Sequence, residues 1–113
     1  MTRGELWWAD FGLPFGTESG FRRPVAIIQD DAFNRSRIKT VVIVPLASNL
    51  ALADAPGNVL AGQEETGLGK DSVLVVSQLA SINKRRLVQR IGHLENSTMQ
   101  KLEEGIRLVL GMK

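Results

Sequence analysis

Short apolar runs alternate with turn-forming segments along most of the chain, and this punctuation predicts a β-rich domain. Residues 5–11 form the first predicted strand, with Leu6, Trp8 and Ala9 facing inward and Trp7 on the other side. The stretch 12–22 carries three glycines with Pro14, Thr17 and Ser19, which predicts a long loop. Residues 24–29 read as a buried strand that begins on Pro24, where proline is tolerated. The polar stretch 30–37 reads as a turn or a single helical turn. Residues 40–46, β-branched almost throughout, are the strongest strand. A loop over 47–57, a short strand over 58–61 and a second loop over 62–69 follow. One strand is predicted over 71–79, a helical turn over 83–88 and a last strand over 89–94.

The C-terminal end has a different period. Met99, Leu102, Ile106, Val109 and Leu110 form one helical stripe that Asn96 or Ser97 can cap. Gly105 inside it costs about 1 kcal/mol relative to Ala, which points to close packing there. Five or six short strands followed by one packing helix predict a β-rich α+β fold, a twisted sheet curled into a partial barrel. Curling reduces exposed edges. A chain of 113 residues supports a single domain, 1–113, of a size often stabilised by pairing with a second copy.

Composition narrows the chemistry. The hydrophobic fraction of 43% excludes intrinsic disorder. With no Cys and one His, a disulfide framework, a thiolate metal site, a Cys nucleophile and a two-histidine ribonuclease mechanism are excluded. No apolar run approaches the roughly 20 residues that span a bilayer, and nothing resembles a targeting segment, so the expected location is the cytoplasm. The net charge of +2 is small, yet Lys84, Arg85, Arg86 and Arg90 cluster, and Arg22 adjoins Arg23. Such clusters track phosphates or simply solvate a surface.

The acidic pairs Asp30-Asp31 and Glu64-Glu65 point to opposite faces if extended and offer too few oxygens for a hard cation, so no metal site is expected. The Gly-rich stretch lacks the GK[ST] ending of a phosphate-binding loop, and no G-x-S-x-G occurs. His93 reads as structural. Arg23 is left, biased towards an extended conformation by Pro24 and placed where a loop meets a buried strand. A guanidinium there is either an ordinary edge charge or a bidentate ligand for phosphate.

The blocks Arg-Gly-Glu-Leu-Trp-Trp-Ala-Asp (3–10), Gly-Thr-Glu (16–18), Arg-Arg-Pro-Val-Ala-Ile-Ile-Gln-Asp-Asp-Ala-Phe-Asn (22–34), Thr-Val-Val-Ile-Val-Pro-Leu-Ala-Ser-Asn (40–49), Pro-Gly-Asn-Val (56–59), Asp-Ser-Val-Leu-Val-Val-Ser-Gln (71–78) and Ile-Asn-Lys-Arg-Arg-Leu (82–87) run in order over nearly the whole chain. Together they resemble the MazF/PemK family of toxins from bacterial toxin–antitoxin pairs. The resemblance implies a homodimer of SH3-like barrels, each with the C-terminal helix packed on it. It implies cleavage of single-stranded RNA at short sequences, without metal or cofactor, leaving 2′,3′-cyclic phosphate and 5′-hydroxyl ends. A cognate antitoxin would hold the toxin inactive through a disordered segment laid over the RNA groove.

On this resemblance Arg23 matches the family's catalytic Arg, and Gln78 a position beside the active site. Gly16, Thr17, Glu18 and Ser19 match a loop that lines the RNA groove, and Asn34 an Asn near it. Ser48 and Asn49 follow the third strand at the same groove. Phe15 is the better stacking candidate for unpaired bases, while Phe21 either stacks or packs into the core. Ala47 departs from the pattern, because the family usually has Thr there, with a hydroxyl on the scissile phosphate. Ser48 substitutes for it, or Ala47 is natural in a weakened toxin, or it is a deliberate inactivation. The alternatives in function are a CcdB-like toxin that poisons DNA gyrase and a non-catalytic RNA-binding module.

Overall fold

The computed structural model describes residues 1–12 and 21–113. The expectations for Phe15, Gly16, Thr17, Glu18 and Ser19 lie outside the described residues. Seven strands are present among the described residues: β1 (Glu5–Asp10), β2 (Arg22–Ile27), β3 (Thr40–Ala47), β4 (Val59–Ala61), β5 (Ser72–Leu74), β6 (Ala80–Asn83) and β7 (Leu87–His93). Short helices α1 (Asp31–Asn34) and α2 (Gln63–Thr66) interrupt them, and α3 (Asn96–Leu110) follows. None of these helices is long and apolar enough to cross a membrane.

β3 is the hub. Its run Thr-Val-Val-Ile-Val-Pro-Leu-Ala suits a strand flanked on both edges. One edge pairs with β2, which pairs with β1, which pairs with β7, all antiparallel. The other edge is shared. Thr40–Ile43 pair with β6, whereas Leu46 and Ala47 pair with β5, beside which β4 lies.

The single strand expected over 71–79 therefore splits in two around a 3-10 turn at Val76–Gln78. Pro45 explains the break. Its carbonyl accepts the Val75 N–H at 2.9 Å, but it has no N–H to give back, so the ladder lapses beside it. The expected loops also hold short structure. Asn49 Oδ1 accepts the Ala51 N–H at 3.1 Å to start a 3-10 turn at Leu50–Asp54. α2 reaches back to β7, where a Cβ on Gly92 would sit 3.0 Å from the Thr66 carbonyl oxygen. This contact curls the sheet towards closure as a partial barrel.

Both sheet faces are covered. On one, Leu6, Ala26, Val44, Leu46, Leu74 and Leu94 pack with Met99 and Leu102 of α3. On the other, Ala9, Val25, Ile27, Val41, Ile43 and Ile82 pack beneath Trp7, Phe11 and Leu87. Trp8 does not join Leu6 inside as the alternation predicted. It is half-buried at the rim of a cleft, opposite Pro24, in an unbroken β1–β2 register; the register shifts against β7 fall on β7, which skips Ile91 and Val88.

Two expectations for α3 also change. Neither Asn96 nor Ser97 caps it; the Glu65 carboxylate of α2 accepts the Glu95 N–H and the Thr98 hydroxyl, both at 2.8 Å. A carboxylate near a helix N-terminus meets both the unpaired amides and the helix dipole. The stripe is buried at Met99 and Leu102, but Val109 and Leu110 are exposed, because the helix runs past the sheet. Gly105 is explained by the Pro56-Gly57 turn, not by the sheet: a Cβ there would meet the Gly57 carbonyl oxygen at 2.1 Å. Gly57 itself has φ +87°, a conformation that favours glycine.

Glu5 ties β1 to its surroundings. Its carboxylate accepts from the Thr2 N–H at 2.6 Å, from Trp7 Nε1 at 3.3 Å and from Arg90 Nε at 2.6 Å. Burial pushes its pKa up, but these hydrogen bonds and the Arg90 charge outweigh burial and hold it below the ordinary value of 4.5. A lowered carboxyl pKa stabilises the fold above the unfolded group's range, and that contribution fades as pH falls through the folded value. On acidification below about pH 4.5, the parent protein should therefore lose stability more steeply than Glu5→Gln, as read by urea midpoints across a pH series. Gly105→Ala should destabilise by about 1–3 kcal/mol through overpacking, against the helix propensity that alone favours Ala by about 1 kcal/mol. A raised denaturation midpoint would show that the turn yields easily.

Candidate active site

Arg23 lies on β2 opposite Ala9, immediately before Pro24. Its Nη1 donates to Gln78 Oε1 at 3.2 Å. Gln78 ends the 3-10 turn that Pro45 imposes, so the interruption in β3's ladder delivers this partner. The β2–β3 register joins Val25 to Pro45; continued by two pairs, it sets Arg23 beside Ala47. Ala47 is half-buried and pairs with Val73 on its other side.

Arg23, Ala47, Ser48 and Asn49 line one cleft of about 590 Å³. Its other walls are Trp8, Phe21, Arg22, Pro24, Leu46, Leu68, Lys70 and Ser72. Three cations and no carboxylate are among these residues. Phe21 is 50% exposed, with its ring 5.6 Å from that of Phe11, so it belongs to the rim and not to the core. Sequence reasoning missed Trp8, Lys70 and Ser72 as cleft residues. Trp8 reaches the cleft by its place opposite Pro24, and Lys70 and Ser72 arrive at the start of β5, which pairs with the end of β3.

Other candidates lie elsewhere. Asn34 is buried at the end of α1 and is absent from the cleft lining. Its Oδ1 accepts from Gln29 Nε2 at 3.1 Å, and its Nδ2 donates to the Gln29 carbonyl at 2.9 Å and to Asp31 Oδ1 at 3.1 Å. The Arg3 N–H and this Asn34 amide hold the Asp31 pKa below the carboxylate range. Most of the basic cluster serves the fold. The Lys84 ammonium donates to the carbonyls of Phe33, Asn34 and Ser36 at 3.1–3.4 Å, closing the end of α1. Arg86 Nη1 donates to the Asp10 carbonyl at 3.1 Å, and Arg90 is engaged with Glu5. The His93 ring lies on Gly4, its Nδ1 2.7 Å from the Leu94 carbonyl. Among the described residues no three His, Asp or Glu side chains converge as a metal site.

The arrangement is a guanidinium braced by Gln78 at the rim of a partly apolar cleft whose charged residues, among those described, are all basic. It can hold a phosphodiester and stabilise charge on its oxygens. The PemK-like, MazF-like toxins of type II toxin-antitoxin systems match residues 2–110. Endoribonuclease MazF6 of Mycobacterium tuberculosis is 41% identical over 112 residues, covering 99% of this chain and 98% of its own. Endoribonuclease EndoA of Bacillus subtilis is 32% identical over 112 residues, covering 99% and 96%. An endoribonuclease from a mycobacterial species, solved with its cognate antitoxin, has a TM-score of 0.80 across 100% of this chain and 97% of its own. At 23% identity that likeness shows the common fold. By sequence match over nearly its whole length, the chain belongs to the PemK-like, MazF-like toxin family.

Proposed function

We propose that this chain is an endoribonuclease toxin, one domain over 1–113, that cuts single-stranded RNA in the cytoplasm and is neutralised by a cognate antitoxin. The observation that carries the proposal is Arg23, braced by Gln78 at a cleft whose described lining holds three cations and no carboxylate. The family relatives are named endoribonucleases, and one solved neighbour is bound to its antitoxin.

In the proposed reaction the 2′-oxygen of the RNA attacks the adjacent phosphorus while its proton leaves to a base. The bond from phosphorus to the 5′-oxygen breaks, that oxygen takes a proton, and the products are a 2′,3′-cyclic phosphate and a 5′-hydroxyl. Charge builds on the non-bridging oxygens, where a preorganised guanidinium stabilises it. A guanidinium holds its own proton tightly, so Arg23 serves as electrostatic stabiliser and not as the base. Gln78 keeps the planar group oriented, and Ser48 and Asn49 border the path of the strand. No metal or cofactor enters the scheme.

Ala47 offers no hydroxyl beside Arg23. Ser48 follows the end of β3 and lines the same cleft, one residue beyond the position that the register sets beside Arg23. This form is therefore a weakened enzyme. The homodimer is proposed on the exposed apolar end of α3, where Leu108, Val109, Leu110 and Met112 lack cover within the chain.

With a long labelled RNA, cutting that survives EDTA and leaves cyclic-phosphate ends is expected. Arg23→Ala should lower the rate about 10²–10³-fold, the usual loss for one oxyanion-stabilising donor. Unchanged cutting by that variant sinks the assignment. Ala47→Thr should raise the rate at least about tenfold, since it restores a phosphate donor. An unchanged rate on an RNA containing the cut site overturns the account of position 47.

A further inference from the structure

On the ribonuclease function proposed above, we infer that Asn58 is a positioning residue of the active site: its side-chain amide locks the turn that presents Gln78 to Arg23 and ties that turn to the one that follows Asn49. Gln78 is an exposed side chain at the end of the three-residue 3-10 turn Val76–Gln78. A long side chain in that place is aimed by the backbone that carries it, and so short a turn does not hold itself. Its N-cap residue, Val75, gives it no side-chain cap. The Val76 N–H lies beyond the last β3–β5 pair and outside the turn's own bonds, and Val76 is only 1% exposed. An amide buried there without a partner would be costly. Asn58 Oδ1, eighteen residues earlier, accepts it at 3.0 Å.

The other half of the same amide faces the turn at Leu50–Asp54. Asn58 Nδ2 donates to the Leu52 carbonyl at 2.9 Å, and Asn49, which caps that turn, lines the cleft. The Asn58 backbone is held as well, its N–H donating to the Ala55 carbonyl at 3.1 Å. A side-chain amide carries a donor and an acceptor on one rigid plane, and here each meets its complement. Two successive N–H groups of the Gln78 turn are thus anchored to different parts of the fold, Val75 to Pro45 at 2.9 Å and Val76 to Asn58. Two anchors fix the rotation of the turn where one would leave it free to swing. Pro45 breaks the ladder, and Asn58 sets where the chain points after the break. Gln78 Oε1 then meets Arg23 Nη1 at 3.2 Å. Asn58 is absent from the cleft lining, so its effect on the chemistry passes through Gln78.

The test is steady-state cleavage of a labelled RNA carrying the mapped cut site, in the Ala47→Thr background. Asn58→Ala should lower kcat about tenfold and leave KM within about twofold, because a loosened guanidinium loses its alignment with the transition state. Gln78→Ala should lower kcat by a similar factor, and the double variant should fall no further than the lower of the two, since both break one chain of contacts. Two readouts need no catalysis. In the parent chain the Val76 amide should resist hydrogen exchange as the Val75 amide does. NMR of the Arg23 guanidinium should show rotation about its Nε–Cζ bond quickened by Asn58→Ala as it is by Gln78→Ala. Losses that multiply in the double variant, a Val76 amide that exchanges freely in the parent chain, or Arg23 rotation indifferent to Asn58→Ala overturns the role of Asn58 and leaves the Arg23 assignment standing. A chain that cuts no RNA even with Ala47→Thr overturns the ribonuclease function and with it any part for Asn58 in catalysis, while exchange and rotation still show whether Asn58 sets Gln78.

Discussion

A proline in the middle of the central strand organises this molecule. β3 must satisfy partners on both edges, but at Pro45 it can accept a hydrogen bond and cannot donate one. The chain on that edge answers by leaving the ladder for one turn and rejoining it, so two short strands occupy a border that one long strand would otherwise fill. The excursion carries Gln78 towards Arg23. An interruption that costs hydrogen bonds in the sheet thus becomes the support of the Arg23 guanidinium at its rim.

The electrostatic arrangement has the same economy. A chain with a formal charge of only +2 does not attract polyanions through its total field. Several cations of the dense run after residue 83 are consumed by carbonyls and by Glu5, where they fasten α1, the end of β1 and the start of the sheet. The cations that line the cleft face no carboxylate within it. Which charges line the cleft is decided by the fold: of the two basic clusters in the sequence, Arg22 and Arg23 do so.

Much of the architecture was legible because local rules agreed with one another. The β-branched run of β3, the Pro-led β2 and the helical stripe that starts at Met99 each specify one element. Arg23 was legible too, since Pro24 restricts its backbone. The failures share a cause: each depends on a partner remote in sequence. Glu65 caps a helix that starts thirty residues later, at Glu95. Trp8 meets the cleft through its pairing with Pro24, and Ser72 reaches it because β5 joins the second half of β3. Asn34 looked like a groove residue, but its amide is absorbed by Gln29 and Asp31. A run of continuous burial such as that around Ser72–Val76 has no alternation to reveal where a strand stops.

The hairpin between β1 and β2 is tied at its neck. The Phe11 N–H meets the Phe21 carbonyl at 2.9 Å, the two rings lie against each other, and Arg22 pairs with Asp10 just inside. Residues 12–20 fall between these ties in the sequence. Lengthening such a segment costs little, about 0.6 kcal/mol for each doubling, and none of that cost reaches the ladder below. Change in the length of this stretch and the foldability of the sheet that holds Arg23 are therefore separable.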